Sequence, residues 1–426
     1  MKLVFSFCVL ATGAALVSAD EVTDWNQIML AATITPPATP GPTSTRGTAI
    51  VQAAVFDAVN GIERRYTPIH VPPAAPPGAS KRAAAVQAAY ASLVRLYPAL
   101  TATFDQQRML SLAAIASGPA AQHSKSIERG IEWGQNVADA IWAWRSTDGF
   151  DTVLPPFLGG TNPGEWQPTP PAFVPGLFQV LAITAPWVIQ SPSQFRPSGP
   201  PALTSPRYTT DYDETQSKGS KTSLTRTADE TTFSLFWAST NPASYWDTVA
   251  ISLASQRHFK MSQTSRLLAH VNLALADAAI GCWEAKYVYN FWRPVTAIPL
   301  GGTDGNNDTA GDPAWVPLIV TPGFPEYPSG HSCVSGAAGR ILSSYFGEHT
   351  PVTVVSNGMP GVTRTFPSLT AALEEVKSAR VFAGIHFRTA CNDGQALGIG
   401  VADYVLAHSL LPVDDHGASD HLESEQ

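Results

Sequence analysis

The sequence predicts an all-α protein, a helical bundle with at most minor β-structure. Three observations lead there. Through most of the 426 residues, apolar side chains recur at three- and four-residue steps, the period of one helix face. Strand-like alternation is rare, and Val352–Val355 is the best short exception, compatible with a small two-stranded element. Apolar residues make up 44% of the chain and charged residues only 14%, which is ample material for a large core.

Taken in order, residues 1–19 read as a secretory signal. Met1-Lys2 precedes an apolar run from Leu3 to Leu16, and Val17-Ser18-Ala19 supplies a small-residue cleavage site, so a mature chain starting near Asp20 is expected to be secreted or extracytoplasmic. The run is shorter than the roughly 18 residues that span a bilayer, and no later segment reads as a membrane span. Residues 20–153 form an N-terminal helical region, with helices expected over 48–66, 82–97, 104–116 and 126–144 and with Pro or Gly at most breaks.

Residues 154–226 change character. Between Leu154 and Pro206 lie 13 of the 36 prolines, so no helix can persist there. Because Trp166, Phe173, Phe178 and Trp187 lie in the same stretch, it reads as an ordered excursion draped over the surface or rimming a cleft. Helical periodicity resumes within residues 227–426, over 228–237, 243–259, 265–290, 332–346, 369–384 and 393–410.

A formal charge of −8 excludes a general nucleic-acid or anionic-membrane binder, which needs a basic footprint. Any anion site must be a local cluster of cations. Of four cysteines, Cys8 leaves with the signal, and Cys282, Cys333 and Cys391 remain. For an exported chain this suggests one disulfide and one free thiol. Cys333 follows His331 by two residues and Cys391 follows His386 by five, so a Cys333–Cys391 bridge is expected if the two histidines share a site. Three buried free thiols is the alternative.

Three separated stretches carry the chemistry. The first is Lys286-Tyr-Val-Tyr-Asn-Phe-Trp-Arg293-Pro294, whose cations are spaced by about two helical turns and so share a face until Pro294 ends it. The second, Pro328-Ser329-Gly330-His331, stands where a helix begins. Its free backbone N–H groups and positive dipole end suit an oxyanion, Gly330 allows close approach to the main chain, and Ser329 adds a hydroxyl. Pro197-Ser198-Gly199 shows that the tripeptide alone also occurs without that context. In the third, Ser378-Ala379-Arg380 followed by His386, a regular helix would put Arg380 and His386 roughly 240° apart, so it must loosen near Gly384 or Arg380 must reach around. Three buried cations facing one another repel unless a negative guest compensates. Phosphate or vanadate would do so, held by Arg forks and a Lys point charge.

Together these stretches resemble the signature of the vanadium-dependent haloperoxidase and type 2 phosphatidic acid phosphatase superfamily: Lys, six residues, Arg-Pro; then Pro-Ser-Gly-His; then Ser-Arg, five residues, His. Two departures stand out. Ala379 precedes Arg380 where the family has Ser, and the aspartate often found soon after the last histidine is displaced to Asp393. The resemblance implies that Lys286, Arg293, Ser329, Gly330 and Arg380 bind the equatorial oxygens of vanadate, with phosphate able to occupy the same site. It implies that His331 is the acid–base residue and His386 the axial vanadium ligand, and that Trp283 and Phe324 line the halide side of the pocket. Lys286 would then also act in catalysis by polarising bound peroxide.

The activity so implied is oxidation of halide by hydrogen peroxide. A soluble acid phosphatase acting on a phosphomonoester through a phosphohistidine at His386 is the alternative. A non-catalytic oxyanion-binding secreted protein is a second one. Asp304, Asn306, Asn307 and Asp308 lack the spacing of an EF-hand calcium loop.

Overall fold

The structure, a computed structural model, describes residues 20–118 and 120–413. The signal reading of residues 1–19 and the tail residues His416 and His421 lie outside the described residues. The first helix, α1 (Glu21–Ile34), is one the sequence reading left unassigned. The Asp20 carboxylate caps it by accepting from the Thr23 N–H, and it buries Val22, Trp25, Met29 and Ala32.

Next come α2 (Gly41–Glu63), α3 (Lys81–Leu96), α4 (Thr101–Ser117) and α5 (Ser124–Arg145), which hold the four helices expected of this region. The N-cap of α3 is Ser80, whose hydroxyl accepts from the Ala83 N–H. α2 begins seven residues before the periodicity predicts, since Pro42 stands in its first turn, where its missing N–H costs nothing.

The Pro-rich stretch is irregular apart from a short 3-10 turn at Gln179–Ile183, and it ends at α6 (Pro206–Gly219). It is tied to the body by backbone bonds. The buried Asp277 carboxylate accepts from Trp187, Val188 and Ile189 N–H at 2.7, 2.8 and 3.0 Å. Arg145 donates to the Ala185 and Pro186 carbonyls, and Leu177 N–H donates to the Gly323 carbonyl. The segment is therefore an ordered strap, fixed on one side to a helix and on the other to the loop that enters the site.

The chain continues through α7 (Ala228–Phe236), α8 (Pro242–Gln256), α9 (Met261–Tyr289) and α10 (Pro294–Ala297), then α11 (Gly330–Phe346), strands β1 (Val352–Val355) and β2 (Thr363–Phe366), α12 (Leu369–Phe382) and α13 (Arg388–His408). Thr227 and Glu230 close a reciprocal capping box on α7, and Asn241 with Pro242 starts α8. β1 and β2 pair antiparallel, with Val352 opposite Phe366.

α9 is the axis of the bundle. Every residue from Leu267 to Lys286 is buried, as befits a helix with neighbours all round. It packs against α2 from the N-terminal region and α11 and α13 from the C-terminal one, so one continuous core joins both halves of the chain.

α11 and α13 lie unusually close. A Cβ built on Gly398 would come within 1.9 Å of the Cys333 carbonyl oxygen, so only glycine permits this approach. That contact brings the Gly330 end of α11 against the start of α13, where His386 lies. Gly398→Ala is therefore expected to cost about 3 kcal/mol by forcing the two helices apart, read as a lower denaturant midpoint at unchanged m-value.

Candidate active site

The three sequence stretches converge at one end of α9. Lys286 lies in its last turn, fully buried, and its ammonium donates to the carbonyls of Pro325 at 3.1 Å, Glu326 at 2.9 Å and Pro328. All three protons are thus engaged by the loop that leads into Pro328-Ser329-Gly330-His331. Contact with a guest oxygen requires one carbonyl to be released.

Arg293 reaches the site by a different route from the one its spacing suggests. α9 ends at Tyr289, Asn290 turns the chain with φ of +47°, and Arg293 becomes the N-cap of α10. Lys286 and Arg293 therefore do not share a helix face. The guanidinium is nevertheless buried beside them, with Nε donating to the Phe324 carbonyl at 2.9 Å and Nη1 to that of Ile385 at 2.7 Å. Nη1 also lies 3.1 Å from His386 Nε2.

The geometry of the third stretch is resolved by Gly384. α12 ends at Phe382, and Gly384, with φ of +76°, reverses the chain where a Cβ would meet the Gly219 oxygen at 2.4 Å. Arg380 and His386 thus belong to no common helix and both face one cavity. Ser378, one position early in the motif, contacts the Arg388 guanidinium instead of the site.

The Pro-Ser-Gly-His stretch does start a helix. Gly330 is the first residue of α11, and a Cβ there would press on the Trp283 ring at 3.1 Å. Backbone N–H groups of the first turn have no intrahelical partner. The Ser329 hydroxyl makes no cap and sits 3.2 Å from that of Ser332.

Sequence reasoning missed Glu326. Its carboxylate is fully buried, and Oε1 accepts from His386 Nδ1 at 2.8 Å and from Phe387 N–H at 2.9 Å. This fixes the imidazole tautomer from its partners: the proton is on Nδ1, and the Nε2 lone pair faces Arg293. Asp393, the displaced aspartate, accepts instead from the Tyr327 hydroxyl at 2.6 Å. Glu326 is thus the residue that orients the His386 ring.

Burial sets the electrostatics. It lowers Lys286 to about 8 and Arg293 and Arg380 to about 10, and it raises Glu326 to about 8 against the pull of Arg293 and Lys286. Enclosure and the neighbouring cations hold His331 and His386 well below the ordinary histidine value, so both imidazoles are neutral at pH 7.

Two guanidinium nitrogens remain unspent: Arg293 Nη2 and Arg380 Nε are buried without a hydrogen-bond partner. Orphaned cationic donors are costly unless a guest satisfies them, and an oxyanion such as vanadate or phosphate fits that need.

Trp283 and Phe324 line the cavity with ring centroids 5.1 Å apart, and the Lys286 ammonium lies 5.7 and 5.3 Å from them. Phe178, from the Pro-rich strap, completes this wall at 6.4 Å from Trp283 and 6.1 Å from Phe324. It was noted in the sequence only as a large apolar residue of the strap.

The expected Cys333–Cys391 disulfide is not formed. All three thiols are free and buried. The Cys282 thiol on α9 donates to the Pro328 carbonyl at 3.7 Å, and Cys333 and Cys391 stand on separate helices, α11 and α13. Closeness in sequence to two histidines of one site does not aim two side chains at each other.

The chain is similar to known proteins in part of its sequence and in its fold. Residues 266–414 match the family model of the VCPO second helical-bundle domain. Over 92 residues the chain is 36% identical to vanadium chloroperoxidase of Curvularia inaequalis, a stretch that is 19% of this chain and 14% of that protein. The match thus spans a small part of the curated relative's length.

The structure of the first bacterial vanadium-dependent iodoperoxidase superposes with a TM-score of 0.79 at 26% identity, covering 92% of this chain and 97% of that one. A holo-type bacterial vanadium-dependent chloroperoxidase superposes at 0.66 with 17% identity, covering 92% and 93%, a likeness of fold. Residues 266–414, which hold all three motif stretches, thus resemble the VCPO second helical-bundle domain, and the chain shares its fold with the bacterial vanadium-dependent iodoperoxidase and chloroperoxidase.

Proposed function

We propose that this protein is a secreted vanadate-dependent haloperoxidase that oxidises halide with hydrogen peroxide. The observation that carries the reading is the set of unspent donors, Arg293 Nη2 and Arg380 Nε, buried near a histidine whose Nε2 lone pair is held in place by Glu326. Arg293, Arg380, Ser329 and the Gly330 N–H would hold vanadate, joined by Lys286 once a carbonyl is released, with His386 Nε2 as its nitrogen donor. When bound, vanadate supplies a Lewis-acidic centre that activates peroxide towards nucleophiles.

The chain's own residues do the rest. Arg293 and Arg380 bring fixed positive charge into a water-poor site, where it counts for more than in bulk solvent. Lys286 places a further positive charge beside the wall of Trp283, Phe324 and Phe178, which favours approach of a halide. His331, neutral and facing the cavity, takes up a proton and delivers it to the oxygen released when the peroxide bond is cut. The sum is halide, peroxide and one proton giving hypohalous acid and water.

Hydrolysis of a phosphomonoester uses the same cage, with His386 Nε2 attacking phosphorus and His331 protonating the leaving alcohol. The aromatic wall and the relatives described as chloroperoxidase and iodoperoxidase favour the peroxidase reading. The test is reconstitution of purified protein with orthovanadate. Peroxide-dependent bromination of a dye and one vanadium per chain by elemental analysis are expected, with phosphate competing for the site. No halide oxidation together with brisk aryl phosphate hydrolysis would sink the reading.

A further inference from the structure

His386 stands just before α13, a helix whose own sequence cannot cap it. The N-cap position is Phe387, which has no side-chain acceptor, so the first N–H groups must find partners elsewhere. Two buried carboxylates from distant parts of the chain supply them. Glu326 Oε1 takes the Phe387 N–H, and Asp211 Oδ2, from α6, takes that of Thr389 at 2.9 Å.

Asp211 does not act alone. Residues 207, 211, 214 and 215 share one side of α6, and all four meet residues 386–389. Arg207 Nε donates to Thr389 Oγ1 at 2.8 Å. Both Glu214 oxygens accept from the Arg388 guanidinium, at 3.1 and 2.6 Å. Thr215 Oγ1, bonded within its helix to the Asp211 carbonyl, also lies 3.2 Å from the His386 carbonyl. At the end of α6, a Cβ on Gly219 would come within 2.6 Å of Gly384 Cα, so the helix also seats against the turn that reverses the chain before His386.

Charge explains why outside carboxylates are needed. Arg388 is the first residue of α13, where the positive end of the helix dipole disfavours a cation. Asp211 and Glu214 set two carboxylates against both. α6 is itself anchored elsewhere, with the Tyr212 hydroxyl 3.0 and 2.8 Å from the Ile298 and Ala310 carbonyls and Trp315 Nε1 donating to the Gln216 carbonyl at 2.9 Å.

We propose that α6 is the positioning element of His386, with Asp211 as its principal positioning residue, holding the backbone of residues 386–389 while Glu326 holds the ring. The inference rests on the reading above in which His386 Nε2 faces an oxyanion guest. The Glu326 bond aims the ring only while the backbone that carries it stays in place. Released from Asp211, the first turn of α13 shifts, and Nε2 leaves its place beside Arg293.

Orthovanadate and inorganic phosphate, titrated calorimetrically into the full chain and its variants, provide the test. Asp211→Ala removes the acceptor of the Thr389 N–H and is expected to weaken both anions about tenfold or more. Asp211→Asn keeps a side-chain oxygen for that N–H and should bind both within about threefold of the parent protein. Removing a negative charge by itself favours an anion, so lost affinity in Asp211→Ala reports position and not charge. A residue that only supports the fold would lower the urea midpoint and leave the affinity of the folded protein unchanged, and that result overturns the proposal. Failure of Asp211→Asn to restore binding also overturns it.

If Asp211→Ala does not fold, Glu214→Ala decides. Its ion pair with Arg388 is partly exposed, and its loss is expected to weaken both anions about threefold; equal or tighter binding overturns the proposal. A parent protein that binds both anions with this dependence on α6 but oxidises no halide loses the haloperoxidase reading and keeps the positioning role. One that binds neither anion overturns the cage and the positioning role together.

Discussion

His386→Ala is expected to abolish peroxide-dependent bromination, a loss on the order of 10⁴-fold or more, because no other side chain presents a ring nitrogen at that point of the cage. The sharper experiment is one bond further out. Glu326 holds His386 Nδ1 at 2.8 Å, and a partner of this kind fixes both the tautomer and the ring orientation of a ligating histidine. Glu326→Gln keeps an oxygen acceptor and the side-chain volume but replaces the second carboxyl oxygen by an amide that can only donate, which disfavours the carboxyl geometry that holds the ring. Vanadate affinity and bromination are expected to fall roughly 10- to 100-fold with thermal unfolding little changed.

Glu326→Ala leaves both the His386 Nδ1–H and the Phe387 N–H without an acceptor in a buried site. It should cost about 2 kcal/mol or more of stability in addition. Equal vanadate affinity in the parent protein and Glu326→Gln would show that Glu326 does not position the ligand.

Why Glu326 escaped the sequence reading is physical. Its partner is 60 residues away along the chain, and neither helical nor strand periodicity links a loop glutamate to the residue before another helix. Phe178 is hidden for the same reason, since a proline-rich strap has no period from which to read a direction. The cations and His331 were legible because Pro294 and the Pro-Ser-Gly string mark local backbone events, a helix start in each case. The shared face of Lys286 and Arg293 was an error of extrapolation: the count of turns assumed a helix through Asn290, where the left-handed turn ends it.

Helices followed a similar rule. Those with aliphatic stripes were read, while α6 was not, because its buried face is built of Tyr208, Asp211, Tyr212 and Thr215. Such residues carry almost no hydrophobic period. α1 is different: Val22, Trp25, Met29 and Ala32 do recur at helical steps, so a usable signal was present and went unread.

Asp247 offers the second large effect, this time on stability. It is fully buried where α8 meets α9, and Oδ1 accepts from Asn272 Nδ2 at 2.9 Å. Its Oδ2 and the Asn272 Oδ1 are both buried without partners. Burial raises the carboxyl from 3.8 to about 8. A proton on Oδ2 would turn an unpaired acceptor into a donor and spare the cost of a buried charge. Between the two pKa values the folded chain therefore binds more protons than the unfolded chain, and stability must fall as pH rises through that window.

Asp247→Asn replaces the titrating oxygen with a permanent donor, so the variant and the parent should be nearly equal in stability at pH 4 and diverge upward. At pH 8 the variant is expected to be the more stable by roughly 4 kcal/mol, measured as the difference in urea unfolding free energy at the two pH values. A gap that stays constant, or one that closes as pH rises, would mean that Asp247 enters the fold already ionised and that some other group compensates its charge.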